Sequence, residues 1–90
     1  MYRCSICGKE FRQGATIIGT VILCPECANE YDELIADITS EILEKKLKGE
    51  QIDINSVMKK YQDRLEKFNM IKGRMKMTIL ANILRLSGST

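Results

Sequence analysis

Histidine and tryptophan are absent from this 90-residue chain, proline occurs once, and aromatic residues make up 6% of it. Without histidine the chain lacks the side chain best suited to moving protons near neutral pH, which argues against acid–base catalysis. It also has no glycine-rich loop of the kind that cradles phosphates, so an enzyme is the least favoured class. No apolar run approaches the roughly 20 residues of a bilayer span, and Met1-Tyr2-Arg3-Cys4 contains no apolar leader. A membrane span is therefore not expected, and the expected location is cytoplasmic. The balance of 44% hydrophobic and 29% charged residues predicts a globular, largely helical chain rather than a disordered one. A chain this short has a thin core and usually needs a staple.

Four cysteines supply a candidate staple. They form two Cys-x2-Cys pairs, Cys4/Cys7 and Cys24/Cys27, separated by 16 residues. Four thiolates complete a tetrahedral site without an open position, which suits one structural Zn²⁺ and neither Mg²⁺ nor Ca²⁺. Two disulfides would need an oxidising compartment, and a redox site would use one exposed pair in a βαβ setting, so zinc is the favoured reading. Gly8, directly after Cys7, permits the backbone conformation of a tight knuckle. Arg3, Lys9 and Arg12 lie close in sequence, where offsetting the formal charge of a tetrathiolate zinc site is the favoured reading and ligand binding the alternative.

Between the pairs, Thr16 to Leu23 is rich in β-branched and aliphatic residues, with Gly19-Thr20 in place for a two-residue II′ turn. Such a hairpin returns the second pair to the first. Pro25 and Glu26 then mark a helix start. Apolar Tyr31, Leu34, Ile35, Ile38, Ile42 and Leu47 alternate with acidic residues, predicting an amphipathic helix over about 25–48 that ends at Lys48-Gly49. Asp53 or Asn55 can cap the next helix, over about 55–72, and Gly73 divides it from a third short helix over about 74–87.

Charge is segregated along this helical half. Residues 31–55 carry three lysines against seven carboxylates, and residues 56–90 carry eight basic side chains against two acidic ones. A seam of Tyr61, Leu65, Phe68, Met75, Ile79, Ile83 and Leu86 forms a candidate partner interface, packed partly against the acidic helix and partly against another chain, with the methionines as adaptable contact surface. Closure of the chain's own core is the competing reading. The segment from Ile79 to Leu86 is apolar enough to require cover. Lys59, Lys60, Arg64, Lys67, Lys72, Arg74 and Lys76 form the candidate nucleic-acid surface of an alternative reading. The competing explanation for that charge is internal, an acidic helix lying antiparallel beside a basic one. Membrane-surface binding is a third choice, opposed by Asp63, Glu66 and the lack of tryptophan.

The stretch Cys4-Ser5-Ile6-Cys7-Gly8-Lys9, followed by Ile22-Leu23-Cys24-Pro25-Glu26-Cys27 and an acidic helix, resembles a treble-clef zinc finger. It is similar to the N-terminal zinc-binding domain of the ClpX unfoldase and, more loosely, to the zinc finger of the DksA class of RNA-polymerase-binding regulators. The resemblance covers about residues 3–40. It departs from both: no segment here corresponds to an ATPase domain, and the DksA class places its helical hairpin before the finger rather than after it. Glu50 and Asp53 at the tip of the predicted helical hairpin resemble the acidic tip of that class, with an ordinary polar turn as the favoured reading.

The expected fold is thus a small α+β, mostly α chain. A treble-clef finger with a short β-hairpin occupies residues 1–30, and an antiparallel helical hairpin with a third short helix, within residues 25–90, packs on it as one unit. The function this suggests is zinc-dependent regulatory binding to a protein, as a homodimer or with another partner and linked to transcription. No small-molecule substrate is expected.

Overall fold

The computed structural model describes residues 1–87. Two short antiparallel hairpins open the chain: β1 (Tyr2–Arg3) pairs with β2 (Glu10–Phe11), and β3 (Thr16–Ile18) with β4 (Val21–Leu23). In the second, Thr16 faces Leu23 and Ile18 faces Val21, leaving the two-residue turn Gly19-Thr20. Gly19 takes φ +62°, and no other residue type has a positive φ among the described residues, so the turn fits II′ rather than I′. The pleat then turns Val21 and Leu23 into the core and leaves Ile17 outside.

Helix α1 (Pro25–Leu47) starts as the sequence predicts. Its end is a Schellman motif: Glu50 N–H donates to Lys45 C=O and Gly49 N–H to Lys46 C=O, both at 3.0 Å, with Gly49 at φ +75°. Asp53 caps α2 (Ile54–Lys60), accepting from the N–H groups of Asn55 and Ser56.

The expected single helix over 55–72 is broken. α2 gives way at Tyr61 to α3 (Gln62–Glu66), a 3₁₀ turn at Asn69–Ile71 follows, and α4 (Lys72–Ser87) is the last element among the described residues. The breaks occur without glycine or proline. At Tyr61, Phe68 and Ile71 the N–H groups bond back only three residues, to Met58, Leu65 and Phe68, which tightens each turn. These tightened turns rotate successive apolar residues inward, so Leu65, Phe68 and Ile71 are all buried. Gly73 falls inside the first turn of α4 rather than at the break.

One continuous core joins finger and helices. Tyr31, Leu34, Ile35, Ile38 and Ile42 of α1 meet Val57, Leu65, Phe68, Met75 and Ile79 of the later elements, and the cluster extends to Val21, Leu23 and Cys4. Tyr31 meets Phe68 edge to face at 5.6 Å. On the surface, Lys60 pairs with Glu41, Arg64 with Asp37 and Lys67 with Glu30, at 3.1, 2.9 and 2.6 Å. One partner number rises as the other falls, so α2 and α3 run antiparallel to α1. The internal explanation of the segregated charge therefore holds for these three cations.

Candidate metal centre

The first knuckle lies between β1 and β2, and the second links β4 to α1. Ser5 joins them: its N–H donates to Ile22 C=O at 2.7 Å, and its Oγ accepts from Ile22 N–H at 3.0 Å. This two-way clamp lays the first knuckle along β4, two residues before Cys24. The knuckles share one internal geometry, with Cys7 N–H aimed at Cys4 Sγ and Cys27 N–H at Cys24 Sγ, each at 3.5 Å. Cys24 also serves as the cap of α1, through that second contact. Gly8 stands at φ +78° with its N–H on Cys4 C=O, which closes the first turn.

All four sulfurs lie within 4.8 Å of one another. A tetrahedral ZnS₄ centre with bonds of about 2.3 Å requires S···S separations of about 3.8 Å, and Cys7 and Cys24 stand at 3.7 Å. The donor set fits one Zn²⁺, held by Cys4, Cys7, Cys24 and Cys27 with no position left for a substrate. Cys4, Cys24 and Cys27 are buried, and Cys7 is exposed.

The electrostatics support a cation here. Burial opposes ionisation of Cys4, but the N–H groups of Cys7, Cys24 and Ile6 outweigh it and bring the thiol down to about 6. Cys27 moves the other way, raised by burial and by the neighbouring cysteines. Backbone donors thus favour charge at Cys4 while burial opposes it at Cys27, and a bound dication would compensate the charge at both. Two lysines add to it. Lys9 is held charged first by Glu26 and then by Cys24 and Cys7. Lys67 is held charged first by Glu30 and, against some burial, by Cys27 and Cys7. Arg3 is turned to Glu10 instead.

The other predicted site residues fall elsewhere. Leu65, Phe68, Met75, Ile79 and Ile83 of the candidate interface are buried in the chain's own core, which corrects their assignment to a partner. Tyr61 is half-buried and donates its O–H to Glu41 at 2.9 Å, while Leu86 is exposed. The seam is inward because residues 71, 75, 79 and 83 recur every four positions on the side of α4 that meets α1. Among the candidate nucleic-acid residues, Lys60, Arg64 and Lys67 are paired with carboxylates, Lys76 donates to Asn55, and Arg74 rests against the Gly19 turn. Lys59 and Lys72 line a groove between α2 and α4.

Sequence reasoning missed Ser5 and Lys67 as supports of the centre. For Ser5 the available signal was a small hydroxyl residue inside a knuckle; Lys67 gave none, because only tertiary packing brings it near the cysteines. Comparison with protein families, with curated proteins and with solved structures finds no match. No helix among the described residues is long and apolar enough to cross a membrane.

Proposed function

We propose that this chain is a structural-zinc module whose work is regulatory binding to another protein. The observation that carries the reading is the four-sulfur cluster, closed on all sides by cysteine and placed where hairpin and helix meet. Bound zinc neutralises the thiolates and ties the first knuckle to the start of α1. Knuckle, hairpin and a helix that carries the second ligand pair at its N-terminus follow one another as in a treble clef, and we read residues 1–30 as one. With the sulfurs committed to metal, no catalytic role is assigned.

Protein binding is favoured over nucleic-acid binding because three of the seven candidate phosphate-contacting cations are occupied by α1 carboxylates. The link to transcription rests on the resemblance of residues 3–40 to the DksA-class finger. Chemical crosslinking of the zinc-loaded chain in its native cells tests the whole reading. A defined protein crosslinked by the zinc form and lost in Cys24→Ser is expected, with RNA polymerase subunits as the outcome for the transcriptional link. Tight, salt-dependent binding to nucleic acid with no protein crosslink overturns it.

A further inference from the structure

Helix α4 is apolar on two opposite sides. At about 100° per residue, Met75, Ile79 and Ile83 point into the core, and Gly73, Met77, Leu80 and Leu84 form a second stripe nearly opposite. Met77 is 68% and Leu84 71% exposed, with Leu80 half-buried between them. Lys72 and Lys76 flank this stripe on one side, and Arg74 and Arg85 on the other. From Lys67 to the end of the chain there is no acidic residue. Lys72, Arg74, Lys76 and Arg85 make no ion pair among the described residues, in contrast to Lys60, Arg64 and Lys67. On the Lys72/Lys76 side the stripe borders a groove of ≈ 510 Å³ lined by Met58, Lys59, Gln62 and Gly73.

We propose that the outer stripe of α4 and this groove together receive an acidic amphipathic helix of another protein. The inference rests on the protein-interaction reading and names its surface. The occupant is fixed by charge complementarity: apolar side chains at three- and four-residue spacing cover Met77, Leu80 and Leu84, while flanking Asp or Glu meet Lys59, Lys72, Lys76, Arg74 and Arg85. A second copy of this chain would set α4 lysines and arginines against their own kind. Nucleic acid is disfavoured because the centre of the surface is aliphatic and has no aromatic ring for base stacking. A lipid surface is disfavoured because the groove is concave and needs side chains to fill it.

The test is panning of the full zinc-loaded chain against a displayed library of random helical peptides. Enrichment of sequences with leucine-type residues at i, i+3/i+4 and i+7 flanked by Asp or Glu is expected. Their affinity should fall at least tenfold on Met77→Glu/Leu84→Glu, a variant expected to keep its zinc content and thermal midpoint because both side chains are exposed. Acidic peptides that bind the variant equally well overturn the proposed surface while leaving protein binding intact. Failure to enrich any peptide overturns both readings. Sedimentation of the wild type should show a monomer, and a dimer abolished in the same variant assigns the stripe to self-association and overturns the proposal. Saturable binding to anionic vesicles or duplex DNA that the variant loses does the same.

Discussion

At the scale of single residues, the cysteine-bearing N-terminal segment depends on backbone conformations that few side chains tolerate. Gly8 and Gly14 both have positive φ, but the space around them differs: a Cβ at Gly8 meets nothing within 4 Å, whereas one at Gly14 would stand 2.9 Å from Pro25 Cγ. Gly8→Ala should therefore cost about 1 kcal/mol of left-handed strain alone, and Gly14→Ala more, by displacing the residue that begins α1. Urea unfolding of the two zinc-loaded variants checks the order. Ser5→Ala removes the acceptor for Ile22 N–H and should cost about 1 kcal/mol by the same measurement, with zinc still bound. Cys24 carries more than either, as a candidate ligand and as the helix cap that accepts from Cys27 N–H. The sequence shows the first of these roles in its spacing, and the second only through Pro25 beside it.

At the scale of elements, α1 and the β3–β4 hairpin were legible because their signals are local: Gly19-Thr20 for the turn, Pro25 for the start and Gly49 for the end. The breaks at Tyr61 and Phe68 were not, since nothing in their sequence forbids a continuous helix and only burial of Leu65, Phe68 and Ile71 against α1 demands the turns. The two apolar faces of α4 were ambiguous for a related reason. The three-and-four spacing marks Met75, Ile79 and Ile83 as one face, but spacing alone does not say whether the chain's own core or a partner covers it. The structure makes the choice testable: Met75→Ala should cost about 2–5 kcal/mol in urea unfolding, and Met77→Ala less than about 0.5 kcal/mol.

The α1–α2 contact also has a pH signature. Lys60 holds the Glu41 carboxyl below the usual 4.5, against some burial, and Tyr61 adds to the effect. A lowered folded value means that this stabilisation is present above the unfolded pKa and lost as pH falls through the folded one. The stability difference between wild type and Glu41→Gln should thus be constant near neutrality, at under about 1 kcal/mol, and shrink below about pH 4.5. Urea midpoints of both proteins across pH check this. A difference that grew in acid would contradict the pairing.

At the scale of the whole molecule, the chain is 48 × 28 × 18 Å, with the cysteines at the start of α1 and one core running from Cys4 to Ile83. A metal bound by these cysteines would therefore fasten one end of a helical body that has its own apolar packing. Chelation should abolish the hairpin–helix junction and lower the thermal midpoint while leaving part of the helical circular dichroism, unlike a small finger that unfolds entirely. The charge segregation visible in the sequence resolves at this scale into two uses. Lys60, Arg64 and Lys67 answer the carboxylates of α1, and the cations of α4 make no ion pair among the described residues.

The most direct test of the central claim is the metal content of the purified chain, measured by native mass spectrometry under reducing conditions, for the wild type and for Cys24→Ser. One zinc ion per wild-type chain is expected, as a mass increase of one zinc less two protons, with loss of the ion in the variant together with severe destabilisation. A wild type that takes up no zinc, or a Cys24→Ser chain that retains it at full occupancy with the fold unchanged, would contradict the account.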